Sequence, residues 1–145
     1  MAYALRPYLT FPGTAREALE FYRSIFGGEL TVHTFASFHA LPEGSASGDK
    51  VMHADLVTEF FTLHASDAIP EMPEPVRFGE NVNLSLMGEG ADALEELTVA
   101  FEKLGDGGRV TMPLALQMWG DHYGALVDRF GTAWMVDVHV PGDDV

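Results

Sequence analysis

Residues 8–30 read YLTFPGTAREALEFYRSIFGGEL, and residues 82–108 read VNLSLMGEGADALEELTVAFEKLGDGG. Each stretch runs from a short apolar segment through a turn into an amphipathic helix and closes on glycines. Extended segments, not another helix, follow each closure. Two half-size units of the same order in 145 residues predict a duplicated module. Duplicated sheets tend to curl around a cavity, so the repeat predicts a small-molecule pocket.

In the first unit, residues 3–11 read as a strand that tolerates Pro7 only where its missing N–H is not needed. Thr14 and Glu17 have capping-box spacing. Ala15, Ala18, Leu19, Tyr22, Ile25 and Phe26 then recur at helical spacing until Gly27-Gly28 stops the helix. Residues 29–38, 51–58 and 60–66 read as strands, with a Gly/Ser/Pro loop over 40–50. A Pro-rich connector over about 67–79 separates module 1 (about 1–66) from module 2 (about 80–140). Module 2 begins with a predicted strand over 80–87. There Asn81, Asn83 and Ser85 alternate with Val82, Leu84 and Leu86. A helix over about 91–104 follows, with Leu94, Leu97, Phe101 and Leu104 as its buried stripe. Strands over 109–113, 117–127 and 132–140 complete the unit, the last two joined by a turn at Asp128-Arg129-Phe130-Gly131.

Composition excludes several classes. With 22 Asp+Glu against 8 Lys+Arg the net charge is −14, and the basic residues are scattered. Nucleic acids and anionic membranes demand clustered cations, so neither is an expected partner. No apolar run approaches the roughly 20 residues of a membrane span. The N-terminal MAYALRPYLTF lacks the tripartite pattern of a signal peptide and reads as the first strand, which makes the cytoplasm the default compartment. The absence of Cys removes disulfides, thiolate nucleophiles and thiolate metal sites. There is no G-x-S-x-G elbow and no P-loop.

The segments PYLTFPGTAREALEFYRSIFGGEL, MHADL, NVNLSL, RVTMPL and MWGDHYGALVDRFGTAWMV cover nearly the whole chain in order. Together they resemble the vicinal-oxygen-chelate (glyoxalase/bleomycin-resistance/dioxygenase) superfamily and, within it, the PhnB-like group. The resemblance implies an α+β fold: one domain over 1–145, made of two βαβββ modules that form a curved, barrel-like mixed sheet, usually in a homodimer. Some relatives carry a ubiquinone-methyltransferase-like name. The Gly-rich strand-to-helix turn of a Rossmann unit is missing here, which argues against that chemistry.

Enzymes of the superfamily hold a divalent metal with inward-facing His and Glu. The resemblance transfers those ligand positions to Pro7, Thr62, Asn81 and Met135. Proline has no donor, Thr and Asn are weak neutral oxygens, and Met is soft, so no cofactor is expected there. His53 and Asp55 stand at i, i+2, and His64 shares its strand face with Thr62. A His53/Asp55/His64 cluster is the alternative divalent-metal site or an oriented base. The same residues also fit ordinary structural histidines. For a ligand pocket the candidates are Asn81, Asn83 and Ser85, together with Trp119, Tyr123 and Gln117 around WGDHYG. Trp119 and Tyr123 would wall the pocket, with Asp121 or Gln117 as polar contacts; they fit a core or a dimer interface equally well.

No catalytic residue is assigned by the sequence. The leading expectation is a metal-independent small-molecule binding protein or diverged enzyme. The alternatives are a divalent-metal lyase or dioxygenase with a relocated His site, and a drug-sequestering resistance protein.

Overall fold

The computed structural model describes residues 2–143. The chain divides into two compact units, Met1–Arg77 and Phe78–Val145. The first holds β1 (Tyr8–Phe11), α1 (Ala15–Phe26), β2 (Glu29–Thr34), β3 (Val51–Val57) and β4 (Thr62–Asp67). The second holds β5 (Leu84–Glu89), α2 (Ala91–Gly105), β6 (Arg109–Leu116), β7 (Asp121–Val127) and β8 (Ala133–His139). Each is a βαβββ unit. Its sheet has the order β1-β4-β3-β2 or β5-β8-β7-β6. In each sheet the first strand runs parallel to the last and the other pairs are antiparallel. No helix among the described residues is long and apolar enough to cross a membrane.

Side-chain alternation explains both sheets. In unit 1, Ala54, Leu56, Leu63 and Ala65 are buried on one face, together with Ala15, Ala18, Leu19 and Tyr22 of α1. In unit 2, Leu126, Trp134, Val136 and Val138 are buried in the same way, with Ala100, Phe101 and Leu104 of α2. Leu94 and Leu97 are only half-buried. The opposite face of each sheet is free to carry polar groups.

The two units share one register. Leu56 pairs with Leu63 and Asp55 with His64; at the same steps Leu126 pairs with Trp134 and Ala125 with Met135. Tyr8 opposite His64 corresponds to Ser85 opposite Met135. A close backbone approach recurs as well. A Cβ on Gly28 would run into the Val57 carbonyl oxygen, and one on Gly108 into the Val127 carbonyl oxygen. Only glycine leaves room for the strand after each helix to lie against its neighbour.

Four local expectations need correction. The first strand starts at Tyr8, not at residue 3; residues 2–7 have no regular structure, although the Pro7 carbonyl accepts the His64 N–H at 3.1 Å. The second ends at Thr34, where the Thr34 and Ser37 hydroxyls each accept the other's backbone N–H and turn the chain. The strand expected over 80–87 is β5, displaced to Leu84–Glu89. Finally, Thr14 makes no side-chain cap. The Asp67 carboxylate takes its place: Oδ1 accepts the Ala15 N–H at 2.8 Å and Oδ2 accepts the Val51 N–H at 2.9 Å. The expected turn at 128–131 forms, organised by Asp128. Its Oδ1 accepts the Phe130 and Thr132 N–H groups, and its Oδ2 accepts the Trp134 indole N–H at 2.9 Å.

Candidate functional site

Parallel pairing of β1 with β4 sets Tyr8 beside His64, and antiparallel pairing of β3 with β4 sets Asp55 on the other side of His64. His53, two residues from Asp55, shares that face. The result is a connected polar cluster on the face of the unit 1 sheet away from its core. One oxygen, Asp55 Oδ1, contacts both imidazoles: His64 Nδ1 at 2.5 Å and His53 Nε2 at 2.7 Å. Tyr8 Oη lies 3.0 Å from His53 Nδ1. The two imidazole rings stack at 5.4 Å, and the Tyr8 ring lies 5.6 Å from His53 and 6.0 Å from His64.

Protonation follows from donor capacity. Burial pushes the Asp55 carboxyl up, but hydrogen bonds from His64 and His53, and the charges of both, pull it further down. Its pKa falls below the ordinary 3.8. An ionised carboxylate only accepts. With both imidazoles neutral, His53 therefore donates from Nε2 and His64 from Nδ1, and the Tyr8 hydroxyl donates to His53 Nδ1. Among the described residues, the hydrogen bond of the His64 ring is the one from Nδ1, which leaves Nε2 without a partner there. His64 lines an open depression of about 700 Å³ together with Ala2, Tyr3, Ala4 and Arg6.

The same three groups are the candidate cation site, since their ligand atoms lie within 4.8 Å of one another. Donors around an ion at about 2.0–2.2 Å stand roughly 3 Å or more apart. The contacts at 2.5 and 2.7 Å are tighter than that and suit shared protons better than a shared metal. The positions transferred by resemblance do not supply a donor set either. Pro7 and Asn81 precede their strands, and the side chain opposite Met135 is Ser85. A catalytic divalent ion does not fit those residues.

In unit 2 the corresponding quartet is Ser85, Tyr123, Ala125 and Met135, which has no acid–base capacity comparable to that in unit 1. Its polar groups sit elsewhere on the strands. His139 Nδ1 lies 3.0 Å from Asp121 Oδ1. Burial raises the Asp137 pKa above its ordinary 3.8, and a hydrogen bond to Asp121 together with that neighbour's charge raises it further. Trp119 lies in a turn, not on a strand, yet its ring meets Tyr123 edge-on at 5.9 Å. Gln117 is spent on the same turn: its side chain donates to the Ala115 carbonyl at 3.0 Å and its N–H to the Asp121 carbonyl at 2.9 Å. Asn81 and Asn83 are exposed ahead of β5, and Ser85 is exposed on it.

The model of the Glyoxalase/Bleomycin resistance protein/Dioxygenase superfamily matches residues 5–136, a span holding all of the first-unit cluster and most of both sheets. The chain belongs to that superfamily. It is similar to Protein YjdN of Escherichia coli, 27% identical across 92% of this chain and 94% of that one. It is also 30% identical to an uncharacterised protein of Mycobacterium bovis, over 90% of this chain and 80% of that one. Among solved structures, protein PA1353 of Pseudomonas aeruginosa is 37% identical with a TM-score of 0.74, covering 96% of this chain and 99% of that one. A Bacillus cereus PhnB protein, described as a putative 3-demethylubiquinone-9 3-methyltransferase, has a TM-score of 0.71 at 22% identity. It covers 94% of this chain and 99% of its own, a likeness of fold alone.

Sequence spacing finds His53, Asp55 and His64 but misses Tyr8 and Arg6. Nothing local in the sequence connects residue 8 to residue 64. Asp137 and His139, by contrast, stand at i, i+2 on β8, and that spacing was available as a signal.

Proposed function

We propose that this PhnB-like chain binds a small molecule at the first unit, with His64 as its acid–base group and without a metal. One observation carries the reading: a single carboxylate oxygen holds both imidazoles and so fixes the proton of His64 on Nδ1. That leaves Nε2 as the base of a residue that lines the depression, and a proton taken there makes an imidazolium already paired with Asp55. His53 and Tyr8 are positioning residues that hold Asp55. The pair formed by exposed Trp119 and half-buried Tyr123 is the candidate apolar contact surface on the second unit. The working form we propose is a cytoplasmic homodimer.

The second reading is a relocated divalent-metal centre on His53, Asp55 and His64, favoured by the convergence of their ligand atoms. It would make the chain a metal-dependent lyase or dioxygenase. Elemental analysis after incubation of the full chain with Zn²⁺, Ni²⁺, Mn²⁺ or Fe²⁺ and dialysis separates the two. The expected result is no stoichiometric ion. One equivalent that disappears in both His53→Ala and His64→Ala would establish the second reading instead.

A further inference from the structure

The depression beside His64 carries a chemistry of its own. Its lining is two alanines, a tyrosine, an arginine and a histidine, without a carboxylate. Arg6 is exposed and makes no salt bridge among the described residues. Asp55, on the neighbouring strand, directs Oδ1 to the two imidazoles, so its charge is already engaged. Ala2 and Ala4 leave space, and Tyr3 stands 87% exposed as a side wall. The volume of about 700 Å³ lies within the range of small-molecule sites.

We propose that this depression selects a small oxyanion-bearing molecule, a carboxylate or a phosphate, with Arg6 as the specificity-determining residue. The guanidinium offers a planar fork that matches two oxygens of either group. A cationic ligand would meet Arg6 and be rejected. An anion approaching elsewhere meets a surface of net charge −14, a repulsion screened beyond about 8 Å at physiological salt. A local arginine therefore decides where an anion can settle. His64 Nε2 then faces the bound molecule as acceptor from its hydroxyl or acidified C–H. This assignment of ligand class rests on the acid–base reading of His64, whereas the anion contact itself rests on Arg6.

Imidazole nitrogen spectra of the full chain, assigned with His53→Gln and His64→Gln, test both layers. The probes are pyruvate, inorganic phosphate and the neutral amide of pyruvate. Saturable displacement of the His64 signals by pyruvate or phosphate, and none by the amide, is expected. Whichever anion binds more tightly identifies the group. Arg6→Gln should weaken that anion by about tenfold or more, the loss expected for one charge-assisted contact. An amide that binds as well as pyruvate, an unchanged midpoint in Arg6→Gln, or no response to either anion would overturn the proposal. The ligand-free spectrum reports separately on the relay. A His64 proton found on Nε2, not Nδ1, would defeat the acid–base reading while an Arg6-dependent anion shift still stood.

Discussion

Asp67 ties together two segments distant in sequence. It is 1% exposed, and each carboxylate oxygen accepts one backbone N–H, from the first residue of α1 and the first of β3. The Thr14/Glu17 spacing points to a local cap, and the actual acceptor lies 52 residues from its helix. Helix caps supplied across a fold leave no mark in the local sequence, which is why this contact was illegible. Asp67→Ala orphans two N–H groups. It should cost about 2–6 kcal/mol at roughly 1–3 per buried unsatisfied donor. Urea unfolding measures the loss, and a change under 1 kcal/mol would mean that water or Thr14 takes over the cap. Asp137 gives the opposite sign. Its raised pKa means that the native state binds its proton more tightly than the unfolded chain, so the contribution is present at low pH and lost as pH rises through the folded value. Asp55, with its lowered pKa, contributes above the unfolded value and loses that contribution as pH falls through the folded one. Asp137→Asn should therefore raise the melting temperature at pH 7 by about 1–3 °C after allowing for solvent screening, and the gain should fade toward pH 4. A gain independent of pH would point to packing instead.

Elements were more legible than contacts. The 3.6-residue recurrence places α1 at Ala15–Phe26 and α2 at Ala91–Gly105, within a residue of expectation, because one-sided burial is local information. Strand ends were not legible in the same way. Residues 3–5 are an apolar run and residues 80–83 alternate, but a strand exists only where a partner pairs, and pairing is non-local. The strand start after each helix depends on Gly28 or Gly108 against a neighbouring carbonyl. A methyl group at Gly108 would have to displace backbone, so Gly108→Ala should cost about 3 kcal/mol, at the upper end for overpacking. Gly44, in an open loop at φ 81° with nothing within 4 Å, is the control. There alanine pays only the left-handed conformation, about 1–2 kcal/mol. Equal losses in urea unfolding would show that conformation, not space, governs both positions.

At the scale of the whole molecule, β6 is the weak side of its sheet. It lies at the sheet edge, and Val110, Met112 and Leu116 are exposed, as are Met118 and Trp119 just beyond it. Register breaks between Val110 and Met112 and between Met112 and Ala115 make its pairing with β7 irregular, and Pro113, inside the second break, has no N–H to offer a further strand. A second copy would cover this surface through side chains, not through a continued ladder. Light scattering at micromolar concentration should give about twice the 15.8 kDa chain mass, and Met112→Glu combined with Met118→Glu should return it to one chain. A wild-type monomer at both low and high salt would end the homodimer proposal. The polar cluster was partly readable at this scale: alternation aligns His53 with Asp55, while the place of Tyr8 depends on which distant strand lies beside it.

The common register of the two units has a consequence for inheritance. Along the inner strands β3, β4, β7 and β8, alternate residues answer to the helix and are held by packing, while those between, and their partners on β1 and β5, answer only to whatever meets the open face. Tyr8, His53, Asp55 and His64 occupy the second set, as do Ser85, Tyr123, Ala125 and Met135. A repeated gene segment can thus keep one set of letters as grammar and rewrite the other as vocabulary. Four substitutions in the second unit would spell the first unit's cluster there without touching the core.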